Sequence, residues 1–223
     1  MMHRKMTDRQ ESGWDVRGPD IEAHAPNRAA FTLIELLIVI AIIGFLAGMI
    51  VMLLPGMAMK RTRSRVKTEL SQVESAIDNY KVQRGFYPPD NPANPGTNSL
   101  YYELSSTALN QAKTIYTTVW GDTLPVGSIS ATFGASGFIN SNFTADDAKN
   151  YHSSLRTNSQ AKVFTVNGAK VRLLGVSVKG PIGDFCPYFY NMSNPTHNPN
   201  GYDLWVEVLV SGQVRRYGNW KED

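Results

Sequence analysis

Residues 33–54 read LIELLIVIAIIGFLAGMIVMLL, a run of 22 residues in which Glu35 is the sole ionisable side chain. No other feature limits the fold as severely. As a helix rising 1.5 Å per residue the run extends about 33 Å, enough to cross the roughly 30 Å hydrocarbon core of a bilayer. It therefore predicts a membrane span. A secretory signal peptide does not account for it, because such an apolar region covers about 7 to 15 residues and ends at a small-residue cleavage site. Residues 1–30 carry Pro19, Pro26 and no hydrophobic period. They are expected to form an unstructured leader that stays on the cytoplasmic side.

Glu35 is the anomaly in this span. A carboxylate at the centre of a membrane helix costs about 2.5–3.5 kcal/mol on insertion scales. Glu35 lies near one end of the run, which lowers that cost without abolishing it, so the residue is expected to need a partner. Charge alone points to a single-pass protein with its head in the cytoplasm, the opposite of the orientation reached below. Arg28 precedes it, whereas Lys60, Arg61, Arg63, Arg65 and Lys67 follow it, and basic residues favour the cytoplasmic side. Net charge says less still: 22 basic residues against 19 acidic ones leave +3, too balanced to argue for a nucleic-acid partner. The basic excess lies between Lys60 and Arg84. It has no interleaved aromatic side chains for base stacking.

Residues 30–44, AFTLIELLIVIAIIG, resemble the prepilin cleavage and methylation motif of type IV pilins and type II secretion pseudopilins. The resemblance implies cleavage between Ala30 and Phe31 on the cytoplasmic side by a prepilin peptidase, N-methylation of the new Phe31 amine, and transfer of the head across the membrane. It further implies that the Glu35 carboxylate meets the Phe31 amine of a neighbouring subunit, where an ammonium in low dielectric makes a buried carboxylate tolerable. The chain has Ala30 where the family usually has Gly. Within the span, Gly44 and Gly48 form a G-x-x-x-G pair that permits close helix–helix approach. Pro55 and Gly56 are expected to kink or locally unwind the helix.

Beyond the proline, Val66, Leu70, Val73, Ile77 and Tyr80 recur at alternating spacings of four and three, which places them on one helical face. This predicts an amphipathic continuation over residues 55–84, stopped by Gly85 and by the prolines at 88 and 89. Residues 85–160, rich in Asn, Ser, Thr, Pro and Gly, read as an irregular connection with short helices within 99–116 and 144–156. Residues 161–223 read as an antiparallel head: strands at 161–166, 170–178, 187–190, 202–210 and 213–217, with Asn167-Gly168 as a hairpin signal. The expected class is α+β, a long helix packed on a small antiparallel sheet.

The head resembles, more loosely, that of the major pseudopilin of type II secretion, through AIDNYK at 76–81, GFYP at 85–88, Asp184 with PYFY at 187–190, GYDLW at 201–205 and GNW at 218–220. That family binds calcium in an acidic loop after a Ser-x-Gly stretch. Here Ser211 and Gly212 are followed by Gln213, Arg215 and Arg216, and calcium needs six to eight oxygen ligands, so the site is not carried over. Asp184 and Asp203 are the acidic residues left to supply another, and no cofactor is expected.

Cys186 is the single cysteine, so no intramolecular disulfide exists; no motif ties His152 or His197 to it as an activating base. The chain lacks H-E-x-x-H, Walker A, G-x-S-x-G and C-x-x-C spacings, and no enzymatic activity is expected. The expected function is a structural subunit of a type IV pilus-like or type II secretion pseudopilus filament. Its implied partners are copies of itself, the prepilin peptidase, membrane lipid, and an inner-membrane assembly platform with its ATPase. The implied location is the inner membrane, with the head in the periplasm or on the cell surface. The alternative is a single-pass membrane protein with an extracytoplasmic ligand-binding head.

Overall fold

A computed structural model describes residues 31–142 and 148–221, the backbone alone at residues 51–58, 142 and 157. The first element, α1 (Leu33–Arg84), is a helix of 52 residues. Of the kink or local unwinding expected at Pro55 and Gly56, unwinding does not occur: the backbone is helical through both, so 31–54 and 55–84 contribute to one helix. A proline removes a single i to i−4 bond, and the turns on either side keep theirs. Gly85 stops α1 in the left-handed conformation that glycine adopts without strain (φ +84°), its N–H donating to the Lys81 carbonyl at 2.7 Å.

The chain divides into two compact units, residues 1–51 and 52–223. In the first, Leu33–Ile50 is long and apolar enough to cross a membrane and has no buried residue. In the second, α1 turns one face inward: Val66, Leu70, Val73, Ala76, Ile77 and Tyr80 are all buried, in one cluster with Tyr188, Tyr190, Leu204, Val206 and Val208. These sheet residues alternate along β7 (Cys186–Asn191) and β8 (Asp203–Val210), because a strand presents every second side chain to the same face.

The sheet is an antiparallel meander in the order β5-β6-β7-β8-β9, with β5 at Ala161–Val166, β6 at Ala169–Val176 and β9 at Gln213–Gly218. Both tight turns have two residues at positive φ: Asn167 (50°) with Gly168 (79°), and Ser211 (52°) with Gly212 (79°). Paired positive φ values give the turn twist that matches the flanking strands. Gly175 is required by close approach, since a Cβ there would meet the Cys186 carbonyl. The expected α+β architecture is present, with a long helix packed on an antiparallel sheet.

Residues 85–160 are not the irregular connection expected. They contain α2 (Leu100–Leu104), β1 (Thr107–Leu109), β2 (Ile115–Thr118), β3 (Thr123–Pro125), α3 (Val126–Phe133), β4 (Ser141–Asn142) and α4 (Thr157–Gln160). The strands form a second sheet in the order β3-β2-β1-β4, with β1 and β4 parallel. Of the helix expected within 99–116, α2 alone is helical, and residues 148–156 hold none. Residues 143–147 lie outside the described ones. What organises the region is an aromatic cluster: Phe138 stacks on Tyr102 (4.6 Å, 6°) and meets Tyr116 edge-on, with Phe133 alongside. Elements of two to eight residues are too short to show a hydrophobic period among so many polar neighbours.

Candidate assembly site

The N-terminal end of α1 is built as a capping box. Thr32 precedes the helix, and the Glu35 backbone N–H donates to Thr32 Oγ1 at 3.3 Å. In return the Thr32 N–H and hydroxyl donate to Glu35 Oε2 at 2.9 and 2.8 Å. The reciprocal pair satisfies N–H groups that a helix start otherwise leaves without partners. Within the single chain Glu35 is thus partnered by Thr32. The signal was present in the sequence as T-x-x-E, three residues apart and directly before an apolar run.

Around this cap, Phe31 is 80% exposed and the apolar side chains of Leu33–Ile50 are all exposed. Gly44 and Gly48 lie on α1, and a Cβ at either would meet nothing within 4 Å. Neither glycine is required by packing inside one chain. Ala30 lies outside the described residues. Pro55 and Gly56 lie within residues 51–58, described by their backbone alone.

The chain carries the prokaryotic N-terminal methylation motif, at residues 25–51. Its N-terminal region is similar to proteins named Type II secretion system core protein G. The Klebsiella michiganensis protein is 39% identical over 62 residues, 28% of this chain and 44% of that protein. The Escherichia coli protein is 38% identical over 65 residues, covering 29% and 45%, and the Vibrio cholerae protein 34% identical over 62, covering 28% and 42%. The chain thus spans less than half the length of these curated relatives. No solved structure matches it.

The head also holds several buried or half-buried carboxylates with dense hydrogen-bond shells. Where α1 enters it, the Glu103 carboxylate, fully buried, accepts from the Ile139 N–H (2.8 Å), the Asn140 N–H (2.9 Å) and the Tyr80 hydroxyl (3.0 Å). Burial pushes this carboxyl above its ordinary range, opposed by those bonds and by the nearby Arg84 charge. Arg84 in turn donates to Asn140 Oδ1 at 2.7 Å and to the Tyr151 hydroxyl at 3.1 Å. A second knot holds β6 to the β2–β3 turn: Arg172 grips Asp122 with two bonds, 2.9 and 2.7 Å, and the Tyr101 hydroxyl adds a third at 2.7 Å. Burial alone would raise the Asp122 carboxyl, but these donors outweigh it and hold the group below its usual range.

Asp203 is the most heavily engaged carboxylate. It is 2% exposed and accepts the backbone N–H groups of Thr196 (2.7 Å), His197 (2.9 Å) and Asn198 (2.9 Å), with the side chains of the same three residues at 3.2 Å. Burial opposes ionisation, yet the donors of His197 and Thr196 together hold the carboxyl below its ordinary value. A ligand role for Asp203 would require breaking these bonds. Among the described residues, no three His, Cys, Asp or Glu side chains gather in a way that could hold a metal ion. Cys186 is buried, its thiol pushed up to about 11 by desolvation and directed at the Val178 carbonyl, 3.4 Å away. It is a packing residue, wedged against Gly180.

Proposed function

We propose that this chain is a structural subunit of a type II secretion pseudopilus-like filament, polymerised through α1 after its leader is removed between Ala30 and Phe31. The observation that carries the reading is the conjunction of the methylation motif at 25–51 with an apolar helix that its own chain leaves wholly uncovered. Such a surface is stable in lipid, or against other copies of the same helix, and a filament core supplies the second environment after the membrane has supplied the first. In this account the Thr32–Glu35 cap keeps the carboxylate satisfied in the free subunit, and the methylated Phe31 amine of a neighbour takes part in its place on assembly. Gly44 and Gly48 give neighbouring helices room to approach. The subunit is held in the inner membrane with its head on the periplasmic side. It is cut and methylated by the prepilin peptidase, and driven into the filament by an assembly platform and its ATPase.

The test is the N-terminal mass of the protein purified from its native membranes, together with the behaviour of Glu35→Ala. A chain beginning at N-methyl Phe31 is expected, and the variant is expected to remain in the membrane while failing to enter filaments. Retention of residues 1–30, or normal filaments built from Glu35→Ala, would overturn the reading.

A further inference from the structure

A polar groove of about 740 Å³ lies between α1 and the segment leading into β5. One wall is the α1 face that carries Arg61, Arg65 and Gln72; the other carries Ser154, Arg156 and Ser159. The walls are tied by the Gln160 side chain, which donates to Gln72 Oε1 at 3.0 Å and accepts the Arg156 N–H at 2.9 Å. Arg65 is partly neutralised by Glu69, on the same wall, at 2.8 Å. Three arginines against one carboxylate leave the groove positive, and the arginines come from places about ninety residues apart in sequence, brought together by the fold.

The position of this groove along α1 selects its occupant. No charged residue separates Glu35 from Lys60, so Lys60 and Arg61 open the charged part of α1 and Arg65 lies one turn, about 6 Å, beyond Arg61 along the helix. The polar headgroup layer of a bilayer is about 5–8 Å thick on each side. A guanidinium binds phosphate through paired, charge-assisted hydrogen bonds, and Ser154 and Ser159 add hydroxyl donors beside Arg156.

We propose that this groove is a binding site for the phosphate of an anionic phospholipid headgroup, held between Arg61 on α1 and Arg156 on the opposite wall. The site would hold the head at the membrane surface. The proposal rests on the membrane span and not on filament assembly. It also differs from general attraction of a basic segment to an anionic surface, because Arg156 lies outside that segment and Lys60, within it, does not line the groove.

The experiment uses the full chain in neutral detergent, titrated with phosphatidylglycerol, with bound lipid counted by native mass spectrometry. Phosphatidylcholine and inorganic phosphate serve as comparison arms. One saturable phosphatidylglycerol adduct is expected. Arg156→Gln and Arg61→Gln are each expected to weaken it roughly tenfold or more, the loss of a charge-assisted hydrogen bond, while Lys60→Gln changes it by no more than a few-fold. Equal weakening by Lys60→Gln and Arg156→Gln overturns the groove in favour of diffuse attraction. Displacement of the lipid by millimolar inorganic phosphate overturns the lipid assignment. Failure of the span reading is read separately, as partition of the chain into the aqueous phase when a Triton X-114 solution is warmed.

Discussion

Replacing Asp203 by Asn tests whether the loop between β7 and β8 is held by a carboxylate. The substitution keeps the shape and removes the charge and one acceptor. Thr196 and His197 direct their N–H groups at Oδ2 and Asn198 directs its own at Oδ1, so either orientation of the new amide sets its NH2 group against at least one backbone donor. The less damaging orientation gives up the Asn198 bond, a charge-assisted interaction of about 1.5–3 kcal/mol, and reduces the other two to neutral strength. The expected cost is about 3 kcal/mol. For a head of this size that lowers the melting temperature by about 6–12 °C. Trp220 reports the change, because the His197 ring stacks on it at 3.8 Å and 9°, and freeing the loop separates the two rings. Tryptophan fluorescence during thermal unfolding of the detergent-solubilised chain is therefore the assay. Asp203 is held below its ordinary value of 3.8, so its contribution is present above that pH and is lost as pH falls through the lower, folded value. Calcium and chelator are expected to leave the transition unmoved, since N–H donors already occupy the carboxylate. An Asp203→Asn midpoint within 2 °C of the parent, or a fall on adding EDTA, would falsify the account.

Ile77, fully buried where α1 meets the sheet, is expected to cost about 3 kcal/mol on replacement by Ala through lost burial and the cavity left behind; urea unfolding measures it, and a change under 1 kcal/mol would show that the α1 stripe is not packed as described. His152 is buried, its Nε2 has no partner among the described residues, and desolvation pushes its imidazole down to about 4 from an ordinary 6.5. Its contribution is present above the ordinary value and is lost as pH falls from 6.5 to about 4, by about 3 kcal/mol in full. His152→Leu should flatten that part of the stability–pH curve, and an unchanged slope would assign the effect to another group.

Elements whose signals are local or long were legible before any fold was known. The apolar run needs no tertiary context, because its length against a bilayer is a one-dimensional comparison. The α1 stripe, its stop at Gly85 and the hairpin at Asn167 and Gly168 are likewise set by side chains a few residues apart, and the strands of the larger sheet fall within a few residues of where alternation placed them. The Thr32–Glu35 cap was also written locally, as T-x-x-E, although the resemblance drew attention to Glu35 as a group awaiting another chain.

Tertiary structure alone decided the second sheet, the buried carboxylates and the basic groove. The two-residue β4 exists because β1 offers it a partner, and Glu103 is tolerable at zero exposure because Ile139, Asn140 and Tyr80 bring three donors to it from distant positions. Asp203, legible in the sequence only as a candidate metal ligand, gathers three backbone donors of its own loop. Arg156 reads as one more surface charge until folding sets it across a groove from Arg61. The physical reason is common to all of these: a hydrogen bond or a shared field depends on distance in space, and residues far apart in the chain acquire that distance only when the core between them has formed.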